Sequence, residues 1–140
     1  MTSKTKKEKV AKVIPDFDFR TIKTFEDACA KLGIDPKNLP DLSLLSEDCL
    51  ESIIAYYKLI VIYKAINDGW TPDWGNARQW KYYPYFWVLS SGFGFSVSVY
   101  DGTITDTGCG SRLCISTSEK AMYIAKQFDK EYIDYLLLKK

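Results

Sequence analysis

The residues that could carry out covalent chemistry in this chain are its serines and four cysteines, and none of them has a histidine to act as its base. The chain has no histidine, and no serine lies in a G-x-S-x-G motif. Without a neighbouring base, a serine or cysteine is a weak nucleophile. We therefore predict a protein that is not an enzyme and has no catalytic residues, although chemistry at lysine or tyrosine remains open.

The cysteines also predict free thiols rather than a metal site. They are Cys29, Cys49, Cys109 and Cys114, and no pair has C-x-x-C spacing. A zinc site without histidine would need all four thiolates brought together from distant segments. The glycines around Phe93 and Cys109 match no phosphate-binding loop, and we interpret them as turns. We expect neither a metal nor a cofactor.

The apolar periodicity predicts three helices. Thr24 and Asp27 form a near capping box ahead of a short helix that Gly33 ends. Ser46 is the expected N-cap of a long helix that ends at 67–69. Ser116 and Glu119 form a capping box that predicts a single C-terminal helix up to about residue 136.

The strands are predicted between the last two helices. Residues 82–89 and 95–100 are rich in aromatic and β-branched side chains. Asp101-Gly102 is a two-residue hairpin signal, which makes 103–105 the return strand, and 112–115 is a last short strand. The fold class is therefore α+β, with three helices packed on one face of a short antiparallel β-meander of three or four strands.

The first 14 residues differ in charge from the rest of the chain. They contain five lysines and one glutamate, whereas the remainder is mildly acidic. We expect a flexible basic tail at 1–14 and a single domain at 15–140. The start of the chain lacks the apolar run of a signal peptide, and no apolar stretch is long enough for a membrane span, so we expect a protein that is not secreted by a signal peptide and has no membrane partner.

All four tryptophans lie in the stretch 69–95, and the candidate binding residues lie in this stretch, in the segment that follows it and in the basic tail. We expect Trp70 and Trp87 to fill the core between helix and sheet. The composition of 96–107 is typical of adaptable recognition loops and equally of an exposed hairpin. The candidate contacts to a protein partner are Tyr82, Tyr85, Ser98, Tyr100, Asp101, Thr103, Thr105 and Arg112. The candidate contacts to an anion or nucleic acid are Arg78, Lys81, Lys4, Lys6 and Lys7.

Several motifs, in this order, resemble a family of small uncharacterised proteins encoded by phages and prophages of gut Bacteroidetes, including crAss-like phages. They are Gly69-Trp70-Thr71-Pro72-Asp73-Trp74, Lys81-Tyr82-Tyr83-Pro84-Tyr85-Phe86, Ser90-Ser91-Gly92-Phe93-Gly94-Phe95, Gly110-Ser111-Arg112-Leu113-Cys114 and Ala125-Lys126-Gln127-Phe128. The resemblance covers roughly residues 24–135 and brings no activity or cofactor with it. It implies synthesis in the host bacterial cytoplasm, with incorporation into the virion as an option, and a segment at 96–107 that varies between members.

Three functions from different classes remain open at this point. The leading hypothesis is a non-enzymatic interaction module that contacts a phage or host protein through the β-hairpin and adjacent aromatics. The resemblance adds association with the virion as an option. The second is an accessory nucleic-acid-binding protein that uses the basic tail and an aromatic sheet face. The third is a protein that binds or sequesters a small ligand such as a nucleotide. The oligomeric state is not predicted.

Overall fold

The computed structural model describes residues 16–138, so the basic tail at 1–14 lies outside the described residues. The described chain begins with a 3-10 turn at Phe19–Thr21 and continues with α1 (Phe25–Leu32) and α2 (Glu47–Asn67). The strands β1 (Lys81–Leu89) and β2 (Gly92–Asp101) follow, and the chain ends with α3 (Ser118–Gln127) and α4 (Asp129–Leu136). The α+β class is confirmed, but the numbers of helices and strands differ from the prediction.

The first two helices begin and end where their local signals predict. Thr24 accepts a hydrogen bond from the Asp27 backbone, and the Asp27 carboxylate accepts one from Thr24 in return. These bonds, and one from the Lys23 backbone, hold the pKa of Asp27 below its usual value. Gly33 ends α1 with a left-handed φ of 68°. Helix α2 begins after Ser46 and ends at Asp68, which is also left-handed.

Helix α2 is the centre of the core. Its second half is buried on nearly all sides, including Leu59, Ile62 and Ile66, which have no exposed surface. Helix α1 packs against one part of α2 and α4 against another, while α3 packs on both strands and α4 reaches β2. The helices therefore form a chain of contacts rather than the single layer on one sheet face that we predicted, because α2 contributes most of its surface to other helices.

The C-terminal helix is two helices, which corrects the predicted count of three. The backbone bends at Phe128, whose φ and ψ of −117° and 36° are not helical. The Phe128 side chain is buried in the core, and the bend lets α3 lie on the strands while α4 packs on α2. The N-cap of α3 is also one residue later than predicted, since the Thr117 hydroxyl, not that of Ser116, accepts from the Lys120 backbone.

The sheet is one long hairpin, so the predicted meander of three or four strands is wrong for the described residues. Strand β2 starts at Gly92 and pairs with β1 from Leu89↔Gly92 to Lys81↔Asp101, which leaves Ser90 and Ser91 as the turn. The predicted strands at 103–105 and 112–115 are absent, apart from one bridge between Tyr82 and Ile115.

Asp101-Gly102 is therefore the end of β2 and not a hairpin turn. A Cβ atom on Gly102 would lie 2.7 Å from the carbonyl oxygen of Ala77, closer than such atoms approach in proteins. The glycine is needed there because the end of β2 passes directly over the loop that precedes β1. The Asp101-Gly102 pattern correctly indicated a position that needs glycine, but the reason is this close contact and not a hairpin turn.

Candidate protein-interaction site

The hairpin carries no charged side chain between its two ends. Every residue from Tyr82 to Tyr100 is uncharged, and the run is bounded by Lys81 and Asp101. Proteins usually protect edge strands from unwanted pairing with charges, prolines or bulges. Here Pro84 and a bulge at the Tyr85/Phe86 step are present, and charge is missing.

One face of the outer half of the hairpin exposes large apolar side chains. Tyr85, Trp87 and Leu89 alternate along β1 and so share a face, and Val97 lies opposite Tyr85 on β2. Between 47 and 59% of each of these four side chains is exposed. We call Tyr85, Trp87, Leu89 and Val97 the hairpin patch.

The middle of the reverse face packs on the helices through Phe86 and Phe93, while Val88 and Tyr100 on the same face are exposed. The Phe86 ring stacks on Phe93 at 4.7 Å between centroids and contacts Tyr132 of α4 at 4.5 Å. The Tyr132 hydroxyl in turn forms a buried hydrogen bond with that of Tyr63 on α2. Burial raises the pKa values of both phenols, so both stay neutral.

The base of the hairpin is held by a buried ammonium group. Lys81 has no exposed surface, and its Nζ donates to the carbonyl oxygens of Asp73, Asn76 at 3.1 Å and Gly102 at 2.8 Å. The Trp74 ring lies 5.3 Å from the same nitrogen. Lysine is almost never fully buried unless its donors are paired, and here backbone carbonyls pair them. Lys81 therefore joins the loop before β1 to the end of β2 and offers nothing to an anion in solvent.

A groove runs beside the outer edge of β1. Its volume is about 360 Å³, and residues 83–88 of β1 form one wall. Tyr132, Tyr135 and Leu136 of α4 form part of the other wall, together with the loop that contains Asp106 and Cys109. Asp106 is the one lining residue that carries a formal charge, so the groove is largely apolar.

The Cys109 thiol and the Tyr135 phenol of the groove are held in their neutral forms. Burial, reinforced by the nearby Asp106 carboxylate, raises the pKa of the Cys109 thiol to about 12. Burial also raises the pKa of Tyr135, whose hydroxyl donates to the Gly108 carbonyl at 3.1 Å. Because Cys109 carries no thiolate at neutral pH, the groove is suited to apolar contact rather than to nucleophilic attack.

The structure divides the predicted partner-binding residues between two faces. Tyr82 and Tyr100 lie together on the reverse face at the hairpin base, with the Trp80 ring 4.8 Å from Tyr100. Tyr85 belongs to the hairpin patch. The Ser98 hydroxyl is buried and has no hydrogen-bond partner among the described residues.

The remaining predicted contacts lie beyond the hairpin. Asp101 accepts a hydrogen bond from the Tyr83 hydroxyl, and Thr103 and Thr105 are exposed in a loop rather than in a strand. Arg112 is exposed, as is Arg78 in the loop before β1. Lys4, Lys6 and Lys7 lie outside the described residues.

Sequence reasoning found Tyr85 of the hairpin patch, and placed Trp87 on an exposed sheet face only in the nucleic-acid alternative. Trp87 was expected in the core with Trp70, but 59% of it is exposed, while Trp70 is half-buried. Leu89 and Val97 were not considered as contacts. The signal that could have found them is the uncharged run from Tyr82 to Tyr100, because a solvent-facing strand of that length usually carries charge.

Comparison of the chain with family models, with curated proteins and with solved structures finds no match. The geometry of the hairpin and its groove is therefore the basis of the functional assignment. Among residues 16–138, no helix is both long and apolar enough to cross a membrane. In the same range, no three histidine, cysteine, aspartate or glutamate side chains are grouped so as to hold a metal ion.

Proposed function

We propose that this protein is a non-enzymatic interaction module that contacts a protein partner through the hairpin patch. The observation that carries the proposal is the outward exposure of Tyr85, Trp87, Leu89 and Val97 on a strand pair without charge. Contiguous apolar side chains on a folded surface mark sites of association, and tyrosine and tryptophan contribute strongly to interfaces because they bury a large area with few rotatable bonds.

The charge distribution of the described residues supports a protein partner over nucleic acid. Proteins that bind single strands combine stacking aromatics with a basic groove. The hairpin has no basic residue between Tyr82 and Tyr100, and the ammonium of Lys81 is buried among carbonyls. The same burial removes Lys81 from the candidate contacts to an anion such as a nucleotide.

The resemblance to phage-encoded proteins extends the proposal to the identity of the partner. It places the partner among phage or host proteins and makes association with the virion a further part of the proposal. Mass spectrometry of purified particles tests that part, and particles without this chain would remove it while leaving the interaction module itself in place.

A charge placed in the hairpin patch should abolish partner binding without unfolding the protein. We expect Leu89→Lys to weaken binding at least about tenfold, because the new ammonium loses its hydration at an apolar interface. Leu44→Lys is the matched control, since Leu44 is 98% exposed in the loop before α2 and far from the hairpin in sequence. The measurement is quantitative mass spectrometry of proteins captured by each variant from infected host cells.

The comparison between these variants decides the proposal. A protein captured by the wild type and by Leu44→Lys but lost with Leu89→Lys is the expected result. Equal capture by all three chains would show that the hairpin patch is not the contact surface.

A further inference from the structure

The outer edge of β1 is unpaired over most of its length. At Tyr82 the edge is closed by Ile115, with both backbone hydrogen bonds at 2.9 Å. No other bridge joins this edge to another segment among residues 16–138. The bulge residue Ser96 lies in β2, so β1 itself keeps a regular alternation.

This alternation determines which backbone groups face outward. In an antiparallel strand, the N–H and C=O of every second residue point to the same side. Since those of Tyr82 point to Ile115, the groups of Pro84, Phe86 and Val88 point to the same open edge. Proline is tolerated in strands where its missing N–H would have faced away from the ladder, and Pro84 stands at such a position.

The groove borders the open edge, and its lining also includes Ser96 of β2. The groove is lined by every residue from Tyr83 to Val88, and its opposite wall is α4 with the loop at 106–109. Two walls leave room for one extended segment, which can pair with Phe86 and Val88 and place alternate side chains against Tyr132 and Tyr135. A second copy of this chain fits the groove less well. If its hairpin paired with this edge, its other strand and its helices would clash with the opposite wall.

The charge at the end of the groove indicates what such a segment carries. Tyr135 and Leu136 also line an adjoining pocket of about 330 Å³, whose other lining residues include Glu47, Asp48, Glu51 and Asp134. Asp134 pairs with Lys130 at 3.3 Å, but no basic side chain lines this pocket. The next pocket shares Glu47, Glu51 and Asp134 and is also lined by Glu131, Lys58 and Lys130. Across the two pockets acidic side chains still outnumber basic ones by five to two, so the groove complements a segment with apolar residues followed by basic ones.

We infer that the partner adds one extended segment as a strand along the outer edge of β1, with alternate apolar side chains in the groove and lysine or arginine over the acidic pocket. This inference rests on the proposed function and specifies its partner. Main-chain hydrogen bonds to Phe86 and Val88 provide affinity, and the groove and the acidic pocket provide specificity.

The test uses a defined probe, a library of random peptides of about twelve residues displayed on yeast, long enough to span the edge at roughly 3.3 Å per residue. Selection on the full chain is expected to enrich peptides with alternating apolar residues and a basic end. The best peptide is then synthesised, with a second version N-methylated at alternate residues. N-methylation should weaken binding at least about tenfold, since it removes backbone donors and blocks strand pairing.

Two variants and one direct measurement complete the test. Hydrogen exchange of the complex should slow at the Phe86 and Val88 amides. Glu47→Lys should weaken binding about fivefold to tenfold, because it reverses one charge of the pocket. Its matched control is Glu26→Lys, which makes the same change in the first turn of α1, outside the pocket.

Each alternative outcome would overturn this inference in a recognisable way. A peptide that binds without protecting the Phe86 and Val88 amides, yet fails on Leu89→Lys, would refute strand addition and leave the proposed function standing. A library without binders, or binders that lack a basic end, would refute the stated partner chemistry. If the chain sediments as a dimer and Val88→Pro dissociates that dimer, the edge is occupied by a second copy of the chain. If deletion of residues 1–14 makes the peptide bind more tightly, the chain's own basic tail competes for the site.

Discussion

Lys81 shows how one side chain can change from a candidate contact into a structural element. Next to an aromatic run, a lysine is typical of an anion contact, and its sequence neighbours contain nothing that predicts burial. The three carbonyls that accept its protons come from residues five, eight and 21 positions away. Only the approach of the preceding loop to the end of β2 brings them together.

Replacing Lys81 by methionine should therefore destabilise the fold. Lys81→Met keeps the length of the side chain but leaves three carbonyls without their charged donor, which we expect to lower the free energy of unfolding by about 3 kcal/mol. Urea denaturation measures the change. Arg78→Met, at an exposed cation in the same loop, should stay within about 0.5 kcal/mol of the wild type. A Lys81→Met protein as stable as Arg78→Met would show that the ammonium is not a structural clamp.

At the scale of elements, the hairpin depends on a glycine that joins β2 to its turn. Gly92 has a φ of 147°, a conformation that side chains disfavour, while no atom lies within 4 Å of the position its Cβ would take. The constraint is therefore in the backbone and not in packing.

We expect Gly92→Ala to lower the free energy of unfolding by about 1–2 kcal/mol, since alanine must adopt this strained backbone. Gly94→Ala is the matched control in the same strand, because Gly94 has equally open space and no φ in the disfavoured range. Thermal unfolding followed by circular dichroism compares the two. If Gly94→Ala costs as much as Gly92→Ala, the strain at the turn does not limit hairpin stability.

The helices and the strands were predictable to different degrees. Helices α1 and α2 begin directly after Thr24 and Ser46 and end just before the left-handed Gly33 and Asp68. A capping box starts α1, whereas Ser46 makes no side-chain cap hydrogen bond and the local signal at the start of α2 is the acidic first turn. The predicted break between 82–89 and 95–100 contains the observed turn at Ser90-Ser91, but the additional hairpin turn predicted at Asp101-Gly102 is wrong, because that pair is an acceptable turn only locally. Pairing over the full length of β1 and β2, with Phe86 and Phe93 on the core, places Asp101 at the end of β2 instead.

At the scale of the whole molecule, one core connects the helices to the hairpin. Buried residues from α1, α2, α3 and the segment before α3 form a single cluster, and Phe86, Phe93 and Tyr82 of the hairpin pack against it. Small domains with one core usually unfold in a single transition.

We therefore expect the hairpin and the helices to unfold together. Tryptophan emission reports the region from Trp70 to Trp87, and far-ultraviolet circular dichroism reports mainly the helices. The two urea transitions should have the same midpoint and slope. An earlier transition in tryptophan emission would show that the hairpin opens independently, in which case the groove beside β1 would exist only part of the time.

The amino-acid order alone determined the α+β class, the limits of α1 and α2, and the uncharged aromatic run that became the hairpin. These features depend on interactions within one or two turns of helix or along one strand, so a short stretch of sequence is enough to predict them. Tertiary structure alone decided that Lys81 is buried, that Trp87 faces solvent and that a groove borders β1. Burial and exposure depend on partners far away in the chain, such as Tyr63 and Tyr132, or Asn67 and Cys114, which only the folded core brings into contact.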